Sequence, residues 1–233
     1  MPLAGILLKE TKFEEWKNMK VLVIGANGQV GKQIVQELAN SQHEAIAMVR
    51  KEEQVDKLKE LGAADVVLAD LEQDFSSAFD GVDAAIFAAG SGPSTGADKT
   101  LTIDLWGAAK AAKYAEEKGV KRFVQLGSMG SADPDSGGEE MKPYLVAKRT
   151  ADELLQHTGL DYTIVRPGPL SDEAKTAQIE VSAQGFSSIG ERSIPRADVA
   201  HVLVEVLDRP NTYGKTFEVL QGKNEAGAEL DSL

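Results

Sequence analysis

The stretch VLVIGANGQVGKQIV, residues 21–35, decides the fold of this 233-residue chain. Its first four residues are apolar and mostly β-branched, as in a strand buried on both faces of a parallel sheet. Val30, Ile34 and Leu38 then recur at intervals of four and share one face of a helix. A buried strand that runs through a tight turn into an amphipathic helix is typical of an α/β fold.

The turn between this strand and helix contains three glycines, Gly25, Gly28 and Gly31. Glycine permits a positive φ angle and lets a ligand or another backbone come close. The first N–H groups of the helix lack intrahelical acceptors and carry the positive end of the helix dipole. The turn therefore predicts a phosphate site, although Ala26 stands where the G-x-G-x-x-G fingerprint has its first glycine. The alternative is a tight strand–helix turn that binds no ligand.

Composition limits the class of protein further. A chain of 233 residues with 42% apolar content suits one α/β domain. There are no cysteines and the three histidines are scattered, so we predict no metal site. The net charge of −12 argues against nucleic-acid binding, and no apolar run approaches the roughly 20 residues that span a bilayer. We therefore expect a cytoplasmic protein that binds neither nucleic acid nor membrane.

Strand and helix patterns alternate along the rest of the chain. Further strands are predicted over residues 44–49, 64–70, 82–90, 121–127, 161–168 and 215–220. Helices are predicted over residues 53–62, 98–118, 143–157 and 196–207, with Gly62 and Gly119 after two of their ends and Pro143 at the start of the third. The alternation predicts a doubly wound parallel sheet, a Rossmann fold, with a small C-terminal substrate lobe.

The predicted Rossmann domain covers residues 19–222 and includes a substrate-lid segment at 171–195. A polar tail is expected over 223–233. Residues 1–18 form an N-terminal extension of unknown role, which is either sequence upstream of a native start at Met19 or a helical arm that packs on the body.

Ligands of a doubly wound sheet bind outside the carboxyl ends of its strands, so the loops there are the candidate site. After the second strand, Arg50 and Lys51 occupy the place where NAD-binding proteins carry an acidic residue for the ribose 2′-hydroxyl. An arginine binds a 2′-phosphate with several donors, which favours NADP over NAD. The alternative is an exposed basic pair compensated by Glu52 and Glu53.

The next two loops complete the predicted cofactor edge. Asp70 and Leu71 follow the third strand and are placed to reach an adenine. Ala88, Ala89 and Gly90 follow the fourth strand and leave small side chains where a cofactor can lie close.

Two Tyr-x-x-x-Lys pairs flank the fifth strand, Tyr114 with Lys118 before it and Tyr144 with Lys148 after it. A tyrosine can donate a proton to a carbonyl when a neighbouring ammonium stabilises its phenolate, and Ser128 can hydrogen-bond the same oxygen. Only the helix after the strand begins at the carboxyl edge. We therefore expect Tyr144 in the site and Tyr114 in packing or on the surface, the alternative being that Tyr144 is a surface tyrosine.

Over residues 19–222 the chain resembles a short-chain dehydrogenase/reductase of the extended or atypical kind, the group that includes NAD-dependent epimerases and dehydratases. The resemblance rests on GANGQVG, AAG, VKRFVQLGS, YLVAK, RPG and RADVA. It implies a catalytic triad of Ser128, Tyr144 and Lys148, with Lys148 also holding the nicotinamide ribose. The other implied cofactor contacts are Gly25, Asn27, Gly28, Gln29, Val30 and Gly31 for the pyrophosphate, Arg50 for the 2′-phosphate, Asp70 and Leu71 for the adenine, and Pro167, Gly168, Pro169 and Leu170 for the nicotinamide.

The chain departs from the family pattern at two positions. Gly127 precedes Ser128 where relatives often carry a second serine, and Asp104 stands where many have an asparagine. The lid segment is also short for a sugar-nucleotide pocket. We therefore expect an NADPH-dependent reductase of a small carbonyl, quinone or flavin-like substrate. The alternatives are a sugar-nucleotide epimerase or dehydratase with tightly held NAD(P), and a non-catalytic NADP redox sensor that regulates a partner.

Overall fold

The computed structural model describes residues 18–92 and 95–233, so residues 1–17 of the predicted extension lie outside it. Within these ranges the main sheet has nine strands. They are β1 (Lys20–Ile24), β2 (Glu44–Val49), β3 (Asp65–Leu68), β4 (Ala84–Phe87), β5 (Arg122–Leu126), β6 (Asp161–Pro167), β8 (Gln178–Ser182), β10 (Lys215–Gln221) and β11 (Asn224–Glu225). A small parallel sheet joins β7 (Leu170–Ser171) to β9 (Ile194–Pro195).

The strand order of the main sheet is β3-β2-β1-β4-β5-β6-β10-β8-β11. The first seven strands of this order are parallel, and β8 runs antiparallel to both of its neighbours. From β1 the chain adds strands β2 and β3 on one side and then β4 to β6 on the other. The order of the strands therefore reverses between β1 and β4, which is where ligands of doubly wound sheets bind. The predicted Rossmann fold is confirmed.

Six helices in the described ranges cover the sheet: α1 (Gln29–Ala39), α2 (Val55–Glu60), α3 (Trp106–Lys118), α4 (Gly138–Gln156), α5 (Arg196–Glu205) and α6 (Ala226–Asp231). On one face α1, α2, α5 and α6 bury side chains such as Ile34, Leu58 and Leu230. On the other face α3 and α4 bury Ala111 and Leu155. None of the helices in the described part of the chain is long and apolar enough to span a bilayer.

The helix after β5 begins five residues earlier than predicted. Pro143 was expected at its start, but α4 begins at Gly138 and contains Pro143. Glu139 and Glu140 in the first turn suit the positive end of the helix dipole. Pro143 is exposed and lies just past the first four N–H groups, which have no acceptor within the helix, so it costs the helix a single bond near its end.

The predicted helix over residues 98–118 includes a π-helical segment. The structure has a helical turn at Ala97–Lys99, a π-helix at Thr100–Leu105, and then α3. Asp104 in this segment is only 2% exposed, and its carboxylate accepts a hydrogen bond from the Ser91 backbone N–H at 2.9 Å. The segment therefore fixes the loop after β4 through a buried polar residue.

The C-terminal lobe is tied more closely to the sheet than predicted. The segment expected to be a lid, 171–195, contains β8, which extends the main sheet beside β10. The segment expected to be a polar tail, 223–233, forms β11 and α6 instead. Ala226 and Leu230, four residues apart, give α6 a buried apolar stripe.

Candidate functional site

The glycine turn between β1 and α1 is shaped by two close approaches of the backbone. Gly25 has a φ of +89°, and a Cβ there would lie 2.6 Å from the Cα of Ala89 in the loop after β4. A Cβ on Gly31 would lie 2.1 Å from the Gly25 carbonyl oxygen. These two glycines are therefore required by the fold itself.

Gly28 is in a different position, because it is exposed and its φ of −70° suits any residue. Within 4 Å, a Cβ there would meet only the Gly25 carbonyl oxygen, at 3.1 Å. No other atom of the described residues crowds this position, so the backbone permits the ligand contact predicted for Gly28, which stays a prediction.

The N-terminus of α1 fits the pyrophosphate of a dinucleotide. It has no side-chain cap and no acidic residue in its first turn. The backbone N–H groups of Gln29, Val30 and Gly31 have no acceptor among the described residues. Such donors, at the positive end of a helix, are the usual partners of a phosphate. Asn27 is half-buried and Gln29 is exposed beside them.

The two basic residues after β2, Arg50 and Lys51, differ in their contacts. Lys51 pairs with Glu53 at 3.3 Å, and both side chains are exposed, so this ion pair is weak. The guanidinium of Arg50 has neither a hydrogen bond nor an ion pair among residues 18–92 and 95–233. Glu53 thus compensates Lys51, whereas the charge of Arg50 acts through space on Glu72, whose pKa it helps to lower.

The loop after β3 buries the side chain of Leu71 and leaves Asp70 half-exposed. Asp70 is half-buried and its carboxylate accepts the Glu72 N–H at 2.9 Å, which closes a local turn. Leu71 is 6% exposed and packs beneath Gly107 of α3, so its side chain belongs to the core. Lys99 pairs with Glu72, and its hydrogen bond lowers the pKa of the Glu72 carboxyl.

The loop after β4 lies directly against the glycine turn. Ala88 donates its N–H to the Ile24 carbonyl at 2.9 Å, and Ala89 lies under Gly25. Gly90 is exposed, and a Cβ there would lie 3.1 Å from an Asp104 carboxylate oxygen. Small residues are needed here for the backbone to pass, in addition to any role with a cofactor.

Ser128 and the ammonium group of Lys148 both lie at the carboxyl end of β5. The Lys148 Nζ donates to the Leu126 carbonyl at 2.6 Å, and the residue is 3% exposed. Ser128 follows Leu126 by two residues, and its hydroxyl donates a long, 3.3 Å bond to the Met129 carbonyl. Tyr144 is half-buried one turn before Lys148, and no hydrogen bond joins its hydroxyl to Ser128 or Lys148 among the described residues.

Tyr114 lies elsewhere, as predicted from the topology. Its ring packs edge-on against Phe75 at 5.0 Å between centroids and also contacts Phe79. Burial raises the pKa of the Tyr114 hydroxyl, and the carboxylate of Asp74 shifts it in the same direction. Tyr114 is therefore a packing residue.

Residues 167–170, at the end of β6, were expected to contact the nicotinamide, and the first two of them form backbone hydrogen bonds within the protein. The Pro167 carbonyl accepts the Met129 N–H at 3.0 Å, and the Gly168 N–H donates to Val219 at 3.1 Å. Both residues are buried, whereas Pro169 and Leu170 are exposed. The exposed pair is the part of this segment that can touch a bound ring.

The sequence prediction missed a buried polar network below the Tyr–Lys pair. Asp152, one turn after Lys148, is fully buried. Its carboxylate accepts hydrogen bonds from Arg166 Nε at 2.9 Å, Gln125 Nε2 at 2.5 Å and Ser131 Oγ at 3.4 Å. The network joins α4 to β5 and β6 and so fixes the helix that carries Tyr144 and Lys148. Its only signal in the sequence is that Asp152 continues the helical face of these two residues.

The departure at Gly127 has a steric cause. A Cβ there would lie 2.8 Å from Arg166 Cγ and 3.2 Å from Ile164 Cγ2. The Arg166 side chain passes over Gly127 on its way to Asp152, so a serine does not fit. The serine that relatives often carry here is excluded by the path of the arginine.

We expect Gly127→Ser to lower the free energy of unfolding by about 1–3 kcal/mol, as overpacking of a buried site does. Urea unfolding followed by circular dichroism measures the change. Gly159→Ser is the control, because a Cβ at Gly159 meets its nearest neighbour, Glu116, at an ordinary 3.4 Å. Equal stability of the two variants would show that Arg166 does not constrain Gly127.

Comparisons with known proteins agree with this architecture. A family profile described as NAD(P)H-binding matches residues 25–210. The uncharacterized sugar epimerase YhfK of Bacillus subtilis is 42% identical over 222 residues, which cover 92% of this chain and 100% of that protein.

Two solved structures extend the comparison. A Bacillus halodurans protein provisionally named an NAD-dependent epimerase/dehydratase is 55% identical, with a TM-score of 0.90 over 93% of this chain and 100% of that one. The oxidoreductase ylbE of Lactococcus lactis is 32% identical, with a TM-score of 0.81 over 92% of this chain and 96% of that one. The chain therefore belongs to the NAD(P)H-binding family, and its resemblance to the extended, epimerase/dehydratase-like short-chain dehydrogenase/reductases is confirmed.

Proposed function

We propose that this protein is an NADP(H)-dependent oxidoreductase that reduces a small carbonyl, quinone or flavin-like substrate. One observation carries the proposal: the open N–H groups of α1, the Ser128 hydroxyl and the Lys148 ammonium lie at the same edge of one parallel sheet. The nicotinamide of a bound cofactor supplies the hydride. The protein then has to hold that cofactor, orient the substrate oxygen and deliver a proton to it.

In this proposal the three side chains divide the remaining work. Tyr144 donates the proton to the substrate oxygen. Lys148 has three N–H donors, of which one is used by the Leu126 carbonyl, so two are left for a ribose and for stabilising the phenolate. The Ser128 hydroxyl can turn from its long bond with Met129 and donate to the same substrate oxygen.

The lobe over α4 favours a small substrate. Part of the segment 171–195 lies on the face of the sheet away from α4. There the backbone N–H groups of Thr176 and Ala177 donate to the buried Asp198 carboxylate at 2.9 and 2.7 Å. Another part is β8 itself. What can cover the α4 face is the loop of residues 183–193, whose Phe186 N–H is held by Glu218.

The direct test is a screen of small aldehydes, ketones, quinones and flavins for substrate-dependent oxidation of NADPH. The proposal expects at least one of these classes to be turned over. If no class is turned over although NADPH binds, the protein is not a reductase of this kind.

The cofactor preference gives a separate prediction. Arg50→Ala should weaken NADP⁺ binding by about ten- to a hundredfold and leave NAD⁺ binding unchanged, because a charge-assisted hydrogen bond contributes about 1.5–3 kcal/mol. Titration calorimetry with both cofactors measures this. Lys51→Ala, which removes one positive charge at the next position, is the matched control for the loss of charge alone and should have a smaller effect than Arg50→Ala, because an ammonium lacks the fork of donors that a guanidinium offers a phosphate. Equal affinity of the wild type for the two cofactors would contradict the assignment to NADP.

A second candidate is a sugar-nucleotide epimerase or dehydratase, which the names of the two Bacillus relatives support. Such an enzyme returns the hydride to its product and so keeps its cofactor. Native mass spectrometry of the purified protein separates the two candidates. Stoichiometric retained NAD(P) favours the epimerase, whereas a cofactor-free protein that binds NADPH reversibly favours the reductase.

A further inference from the structure

Arg166 and Glu218 are neighbours that do not pair. The register of β6 and β10 places them opposite each other, and each residue is 8% exposed. No ion pair joins them among residues 18–92 and 95–233. Arg166 instead donates from Nε to Asp152 at 2.9 Å, and Glu218 accepts the Phe186 N–H with Oε2 at 2.9 Å. Opposite charges that lie side by side are thus held apart by other partners.

Both residues line one cavity of about 210 Å³. Within the described ranges, the two Nη atoms of Arg166 and Oε1 of Glu218 have no hydrogen-bond partner in the protein. Arg149 and Gln156 of α4, Thr216 of β10 and residues 182–185 complete the lining. We call this space the Arg166–Glu218 cavity. Both residues are largely buried, but these three atoms keep contact with solvent, so a polar ligand in the cavity would exchange water for direct hydrogen bonds to them.

The charges around the cavity disfavour an ionic ligand. Asp152 neutralises Arg166, and Glu153 pairs with Arg149 at 2.6 Å. Glu218 then leaves the surroundings negative, so a carboxylate or phosphate is repelled. A cation would meet the Arg166 guanidinium. A neutral group that accepts hydrogen bonds at one atom and donates at the next satisfies both side chains.

We propose that the Arg166–Glu218 cavity binds the edge of a neutral planar amide, lactam or imide. The ligand's carbonyl oxygen accepts from the Arg166 Nη atoms, and its N–H donates to the Glu218 carboxylate. The rigid fork of the guanidinium suits an acceptor in the plane of a ring. The cavity is smaller than the roughly 300 Å³ of ordinary ligand pockets, so it takes one small ring or the edge of a larger molecule.

This site is independent of the proposed reductase chemistry. None of its lining residues belongs to the proposed triad, and binding is measured without turnover. Arg166 directly precedes Pro167, so a ligand in the cavity lies close along β6 to the segment proposed to contact the nicotinamide.

The test compares uracil with 1,3-dimethyluracil, which keeps both carbonyls but has no N–H donor. A fragment of this size should bind with a Kd of about 1–10 mM. In ¹⁵N–¹H spectra of the full-length protein, uracil should give saturable shifts of the Arg166 Nε–Hε signal and of the Gly185 and Thr216 amides. Dimethyluracil should bind at least about tenfold more weakly, because a hydrogen bond to a charged group is lost.

Glu218→Gln should weaken uracil binding by about tenfold, since the charged acceptor becomes neutral. Glu180→Gln is the matched control, because Glu180 lies on β8 outside the cavity and pairs with Arg192. NADPH binding is measured on the same samples and should be unchanged in both variants. If the wild type does not bind NADPH, the proposed function is contradicted, but the result for uracil in the cavity still holds.

Three outcomes would overturn the inference. The first is the absence of any saturable shift with uracil, which means that the cavity holds only water. The second is binding of dimethyluracil as tight as that of uracil, which excludes the N–H contact. The third is tighter binding of benzoate than of either, which makes the cavity an anion site. If Glu218→Gln does not fold, the comparison of the three ligands on the wild type decides.

Discussion

Replacing Gly28 by valine is expected to abolish NADPH binding while the chain stays folded. The backbone at Gly28 suits any residue, and the one atom that a Cβ would crowd is the Gly25 carbonyl oxygen at 3.1 Å. A shift of a few tenths of an ångström relieves that contact. The valine methyl groups then fill the space in front of the free N–H groups of α1, where the pyrophosphate is proposed to lie.

The expected loss is large because the phosphate contacts act together. Two charge-assisted hydrogen bonds of about 1.5–3 kcal/mol each correspond to about 10²–10⁴-fold in affinity. Titration calorimetry measures the loss, and circular dichroism with urea unfolding checks the fold. Gly28→Ala, which adds one methyl group, should lie between the wild type and valine.

Gly31→Val provides the contrast within the same turn. A Cβ at Gly31 would lie 2.1 Å from the Gly25 carbonyl oxygen, so this variant should be destabilised or unfolded. Loss of binding there carries no information about the phosphate. A folded Gly28→Val protein with wild-type affinity for NADPH would show that the phosphate cradle lies elsewhere.

The strands and the first helix were predictable because their signals are local. β1 and β2 are apolar runs whose residues are buried on both faces of the sheet, and α1 has one continuous apolar stripe. The alternation of strands and helices, with right-handed crossovers, then implies a parallel sheet, and the structure supplies its strand order. These features also place the loops after the strands at one edge, which is why the candidate site residues could be chosen from sequence.

Other elements depend on contacts that local patterns do not reveal. The π-helix before α3 places the polar Asp104 inside, where an apolar periodicity would predict a hydrophobic residue. β8 is a short alternating segment, QIEVS, that becomes a strand because the edge of β10 pairs with it. The pair of Asp152 and Arg166 joins residues 14 positions apart on different elements, and one sequence gives no measure of that distance.

The burial of Leu71 shows where prediction of the site from sequence fails. Sequence position placed Asp70 and Leu71 together at the adenine, but the side chain of Leu71 fills the core under Gly107. Adjacent residues in a loop point in different directions, and only the three-dimensional path of the backbone shows which of them faces a ligand. The position of the Arg166 side chain likewise shows why a serine at Gly127 would be overpacked.

The two Tyr-x-x-x-Lys pairs allow the proposed chemistry to be tested within one chain. The hypothesis is that Tyr144 donates the proton, because it lies one turn before Lys148, whose Nζ is fixed at the end of β5 beside Ser128. Tyr144→Phe removes one hydroxyl and keeps the ring, and no hydrogen bond within the described ranges depends on that hydroxyl. Stability and NADPH affinity should therefore stay close to those of the wild type.

Turnover of a substrate found in the NADPH screen should fall by roughly 10²–10⁴ in Tyr144→Phe, the usual contribution of a positioned acid or base. The loss should appear in kcat rather than in KM, because the missing group acts on the reacting oxygen and contributes little to cofactor binding. Tyr114→Phe is the matched control: its ring packs against Phe75 and Phe79, away from the carboxyl edge, so kcat should not change. Wild-type turnover by Tyr144→Phe would mean that the proton comes from another group, and the Ser128–Tyr144–Lys148 triad would have to be abandoned.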